Sequence, residues 1–180
     1  MRVNWSIPFA LCTLPAAQVV YAAQYMTIEQ AQRAAFAGAG EFVALPAPDA
    51  AVAATLGAPA GWAPRIFVAR SGERRLGWLV VDQVIGKSEL ITYALALDNG
   101  GAVLSVEVLE YRESHGGEIR LPAWRKQFVG KTAADPVALN DDIRNISGAT
   151  LSCRHLTEGV QRLLKLHASV LRNAAATTEP

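Results

Sequence analysis

Four runs in the middle of the chain are dense in Val, Ile, Leu and aromatic residues: Arg65 to Arg70, Leu76 to Val84, Glu89 to Asp98 and Ala102 to Tyr111. Ser71-Gly72-Glu73, Gly86-Lys87 and Asn99-Gly100-Gly101 separate them, and each is turn chemistry. Val103, Ser105, Glu107 and Leu109 alternate with Leu104, Val106, Val108 and Glu110, imperfectly, as in a sheet with two unlike faces. Such short connections predict an antiparallel meander.

Helical periodicity flanks these runs. Thr27-Ile28-Glu29-Gln30 has the form of a capping box, with Thr27 as N-cap and Gln30 at N3. A short helix to about Ala37 should follow, with Gly38 just past its end. Residues 44–63 are rich in Ala, Pro and Gly and read as a loop holding one short helix near Ala50 to Leu56. Beyond the polar loop Arg112 to Arg120, Pro122 to Phe128 suits a short helix with Pro122 in its first turn. A long helix is expected from about Ala149 to Leu171. Leu156, Val160, Leu163, Leu164, His167, Val170 and Leu171 form one apolar stripe along it. Lys165, His167 and Arg172 near its end are placed to meet the negative end of the helix dipole. The predicted class is α+β, with helices packed on one face of the sheet.

The 180 residues suit one domain, and 51% hydrophobic content suffices for a core. The first 22 residues differ from the rest. Arg2 is their one charge, the uncharged stretch from Trp5 to Val20 carries Ile7, Phe9, Leu11, Leu14 and Val19, and Val20-Tyr21-Ala22 sets small residues where a signal peptidase needs them. Pro8, Pro15 and Gln18 interrupt the stretch, which is at the short limit for a membrane span. The expected division is a secretory signal over 1–22, a domain over 23–172 and a frayed tail over 173–180, in a periplasmic or otherwise extracytoplasmic protein. Cutting after Ala22 leaves 16 basic and 16 acidic residues, a balance with no footprint for nucleic acid. It also leaves Cys153 as the single cysteine, on the apolar stripe, where it reads as a core residue. His115 and His155 lack a Cys or carboxylate set at ligand spacing, so no metal site is expected.

The stretch Ile146-Ser147-Gly148-Ala149-Thr150-Leu151-Ser152 lies where the long helix begins. Free amides and the positive dipole end favour an anion there. Gly148 and Ala149 leave room for a phosphate, and Ser147, Thr150 and Ser152 offer hydroxyls. The same residues also fit a simple cap, with Ser147 as N-cap. No Gly-x-Ser-x-Gly surrounds Ser147, which argues against a hydrolase nucleophile.

Ser147-Gly148-Ala149-Thr150 resembles the flavinylation motif of the FMN-binding domain family, which includes the periplasmic flavin subunits of the sodium-pumping quinone reductase and of Rnf-type electron-transport complexes. Glu113-Ser114-His115-Gly116-Gly117 resembles that family's Glu-Thr-Pro-Gly-Leu-Gly loop. Trp124, Gln127-Phe128 and Gly130-Lys131 follow at the usual distance, and the likeness covers roughly residues 79–165. Two departures stand out: Arg144 where the family usually has Asp, with Asp141 and Asp142 just before it, and His115 in place of the loop proline. The resemblance implies FMN joined through its phosphate to Thr150 by a flavin transferase that uses FAD. It implies an electron carrier serving membrane redox partner proteins rather than an independent enzyme. The cofactor would be surrounded by Ser147, Gly148, Ala149, Leu151, Ser152 and the loop residues Glu113, Ser114, His115, Gly116 and Gly117, the two glycines letting backbone approach the isoalloxazine. Trp62, Trp78 and Trp124 read as core residues, Trp124 being the one of them nearest to a flavin neighbour's place, and Gly86-Lys87 reads as a hairpin turn, with a Lys87 contact to the phosphate as the alternative. A flavin-free extracytoplasmic binding or assembly module with the same fold is the alternative, and an FMN-dependent reductase of a small soluble acceptor is a third.

Overall fold

A computed structural model describes residues 23–174. The expected signal segment and the tail beyond residue 174 lie outside the described residues. The elements are β1 (Ala23–Gln24), α1 (Ile28–Ala35), β2 (Glu41–Leu45), α2 (Ala50–Thr55), β3 (Arg65–Ser71), β4 (Arg74–Ile85), β5 (Leu90–Asp98), β6 (Val103–Tyr111), α3 (Pro122–Arg125) and α4 (Thr150–Leu166). A π-helical turn (His167–Leu171) and a last helical turn (Arg172–Ala174) extend α4. The fold is α+β.

One antiparallel sheet runs in the order β1-β6-β5-β4-β3-β2. The four predicted strands form its centre as a meander. Their turns follow from the sequence: Gly72 and Glu73 join Ser71 to Arg74, and Asp98 accepts hydrogen bonds from Gly100 N (2.8 Å) and Ala102 N (2.9 Å). The edge strand β2 was not expected. Glu41–Leu45 has no clean alternation, and its inward-facing residues are only partly buried against β3.

Thr27 and Gln30 form the capping box of α1, with reciprocal bonds of 2.7 and 3.2 Å. Its apolar side, Ala31 and Phe36 with Ile28 and Ala35, covers Ala69, Leu79, Val81, Ala94, Ala96 and Leu109. The other sheet face carries Ile66, Val68, Trp78, Val80, Tyr93, Leu95, Leu97 and Val106, and α4 packs there through Cys153, Leu156, Val160, Leu163 and Leu164. The helices thus lie on both faces, not one. An amphipathic stripe shows that a helix buries a side but does not say against which face of the sheet.

The C-terminal stripe holds, with a change at His167. This side chain does not reach toward solvent at the helix end. It is 2% exposed, and its ring stacks edge-on against Trp78 at 4.5 Å. Burial, with Arg172 and Arg75 close by, lowers its pKa to about 4, so the neutral ring is the form the fold holds.

Candidate functional site

The start of α4 is built from residues without bulk. Gly148 takes φ +86, a left-handed conformation that glycine adopts freely, and a Cβ there would meet no atom within 4 Å. Ala149 is the N-cap and supplies no side-chain bond. Ser147, expected in that role, is exposed and two positions too early. Thr150 is the first helical residue. The amides of the first turn therefore have neither an intrahelical acceptor nor a capping side chain. The positive end of a 17-residue helix opens outward at this point.

Thr150 is held by an unexpected neighbour. Asn145 Nδ2 donates to Thr150 Oγ1 at 3.0 Å, and Ile146 N donates to Asn145 Oδ1 at 2.9 Å. The second bond sets the amide orientation, so the threonine oxygen accepts while its own proton remains free to leave. An Asn five residues before a Thr is no signal by itself, and sequence reasoning missed it.

The predicted loop lies against this helix start. Gly116 takes φ +82, and a Cβ on it would come within 2.8 Å of the Tyr111 hydroxyl and 3.3 Å of Ala149 Cβ. Tyr111 donates to His115 O at 2.5 Å, and its hydroxyl is 3.3 Å from Ser152 Oγ. Burial raises the Tyr111 pKa, so it stays a neutral phenol that ties strand, loop and helix together. Gly116 thus serves loop-to-helix packing, Gly117 sits against the Arg120 side chain, and neither lines the cleft beside the motif.

That cleft measures about 690 Å³ and is lined by Lys87, Ser88, Glu89, Arg112, Glu113, Ser114, His115, Gly148, Ala149, Thr150, Leu151 and Ser152. Such a volume suits a small-molecule site. Eight of the expected site residues meet here: Glu113, Ser114, His115, Gly148, Ala149, Thr150, Leu151 and Ser152. Glu113 also holds the neighbouring turn. Its Oε1 accepts from Ser88 N (2.5 Å) and Glu89 N (2.9 Å), pinning the β4–β5 turn. Burial works against its charge, but the amides of Glu89, Ser88 and Lys87 outweigh it and hold its carboxyl below the ordinary value. His155 also reaches this turn. Its Nδ1 lies 2.7 Å from Ile85 O and 3.0 Å from Gly86 O, tying the same turn to α4. His115 is exposed, with Nδ1 2.9 Å from Ser114 Oγ.

Trp124 stands elsewhere. It is 5% exposed, packs edge-on against Phe128 and donates through Nε1 to Arg144 O at 2.7 Å. It does not line the cleft. Arg144 uses its backbone for this contact and for an N–H bond to Gln127 Oε1 at 2.9 Å. Asp142, two residues earlier, binds Lys131 Nζ (2.6 Å), Ala138 N (2.7 Å) and Val137 N (3.2 Å), which shapes the loop leading to the motif. A second cleft of about 610 Å³ opens between the 59–63 loop and β4–β6, with Gln83, Thr92 and Glu110 among its lining residues. Cys153 is fully buried and burial raises its thiol pKa, as suits a core residue.

The arrangement defines a class: an α+β domain whose long helix begins, uncapped, at the wall of an open cleft, with a hydroxyl at its first position. Residues 86–165 match the FMN-binding domain family. The matched segment begins at the β4–β5 turn and ends near the end of α4, so it contains both walls of the cleft. Comparison with curated proteins finds no match.

Proposed function

We propose that this domain carries FMN esterified through its phosphate to Thr150 and passes electrons between partner proteins outside the cytoplasm. One observation carries the reading. Within the segment matching the FMN-binding family, the motif threonine is the first residue of α4, its oxygen is oriented by Asn145, and it lines the cleft closed by the 113–115 loop.

The residues present fit such a group. Amides of the first turn would receive the phosphate oxygens, and the ester keeps a negative charge for the dipole to stabilise. Gly148 leaves open space for the phosphate to approach. When bound, FMN supplies the reversible electron chemistry, while the protein supplies position, electrostatics and access. Covalent attachment prevents cofactor loss where none can be resupplied. A flavin transferase using FAD would load the site, and membrane redox proteins would exchange electrons with it.

The test is a pair of variants, exported in a host with an active flavin transferase. Thr150→Ala should abolish denaturation-resistant flavin fluorescence while leaving far-UV circular dichroism unchanged. Thr150→Ser should keep part of it. Equal flavin in Thr150→Ala would move the attachment elsewhere.

A further inference from the structure

The β4–β5 turn was read from sequence as simple hairpin chemistry, yet it is fastened from two sides. Glu113 accepts from its amides, and a Cβ on Gly86 would come within 2.6 Å of that carboxylate. On the other side His155 of α4 contacts the carbonyls of Ile85 and Gly86. Thr150 and His155 are five residues apart on one helix, a rise of about 7.5 Å along the axis. The turn is therefore held beside the helix start, and Lys87 stands in it.

Lys87 lines the cleft with Thr150 and is exposed. Two of the other charged groups facing the cleft are taken up by neighbours. Arg112 pairs with Glu110 at 2.9 Å, and the Glu113 oxygen is taken up by amides. Glu89 lies in the same turn. Lys87 is near enough for Glu113 to feel its charge, but among the described residues it joins no ion pair.

We propose that Lys87 is the side-chain counter-charge for the phosphodiester of the attached flavin, presented by a turn that Glu113 and His155 clamp in place. The inference rests on the attachment reading above. A compact, mobile ammonium reaching from a fixed turn suits a phosphate oxygen, and it would complement the amides on the facing wall. The turn's rigidity matters because a long side chain loses less freedom on binding when its base is fixed.

The experiment is ³¹P NMR of the flavin-loaded full chain, with intact mass to count flavin. Lys87→Gln should move the protein-bound phosphorus resonance toward that of a free flavin phosphodiester. It should also abolish the shift that added salt produces in the parent, and reduce loading several-fold at limiting transferase. Lys87→Arg should retain the parent behaviour. Glu113→Ala should reproduce the Lys87→Gln resonance with Lys87 intact, because the turn is released. An unchanged resonance and loading in Lys87→Gln would overturn the proposal while leaving attachment at Thr150 standing. Absence of any flavin mass on Thr150 in the parent would remove both readings.

Discussion

His167 is held in surroundings that oppose its usual protonation. It lies against Trp78 and over Gly101, where even a Cβ would come within 2.4 Å of the ring. Among the described residues, its Nε2 and the Trp78 Nε1 have no hydrogen-bond partner. Burial, Arg172 and Arg75 disfavour the cation, while Asp98 favours it and is outweighed. The sign follows from linkage. The folded pKa, about 4, lies below the ordinary value, so the stabilisation is whole above about pH 6.5 and drains away as pH falls toward 4. The full shift corresponds to about 3 kcal/mol. Urea unfolding at pH 7 and pH 4.5 should therefore show a smaller loss on acidification for His167→Leu than for the parent. Equal losses would mean that this ring already titrates in the fold. At this scale Thr150 was legible because the motif is local. Asn145 and Tyr111 were not, and Lys87 was legible only as the second reading of a hairpin turn. Tyr111 meets Ser152 across 41 residues, and Lys87 matters only because Glu113 and His155 hold its turn. Ser147 was misread as a cap because a Ser just before a helix usually is one, whereas here the turn through Gly148 delays the helix to Thr150.

Among the elements, α4 carries one wall of the cleft and covers one face of the sheet. It seats closely on β4 and β5 because Gly159 presents no side chain. A Cβ at that position would come within 2.5 Å of the Tyr93 hydroxyl and 2.8 Å of Val84 Cγ1. Tyr93 cannot swing away freely, since its hydroxyl donates to the buried Asp82 at 3.0 Å. Gly159→Ala should gain roughly 1 kcal/mol of helix propensity but lose about 1–3 kcal/mol to overpacking. The expected net result is a Tm lower by a few degrees. A higher Tm would show that α4 does not need this close seat. The meander was legible because every connection carries turn residues. The edge strand β2 was not, since it borrows its conformation from pairing with β3. The placement of α1 and α4 on opposite faces also needed tertiary information: each stripe is local, but the choice of face is not.

At the scale of the whole molecule, the cleft sits at one end of the sheet, where the β4–β5 turn, the loop after β6 and the start of α4 converge. The match of residues 86–165 to the FMN-binding domain family agrees with the family that the two motifs resemble. The neighbouring cleft on the α1 side carried no motif and could not have been anticipated. Export belongs to this scale as well. If the first 22 residues are a signal, the mature chain begins with β1, whose Ala23 pairs with Tyr111 beside the cleft. N-terminal sequencing of exported protein should start at Ala23 or within a residue or two. Retention of Met1 in a fraction resistant to salt and carbonate would make the segment an anchor.

The central claim is a covalent bond at one atom, and one peptide reports on it. Trypsin should release Asn145 to Arg154, which contains Ser147, Thr150 and Ser152. In protein exported alongside an active flavin transferase, fragmentation of that peptide should place a mass of FMN less one water on Thr150. The same mass on Ser147 or Ser152 would relocate the site, and an unmodified peptide under those conditions would contradict the account.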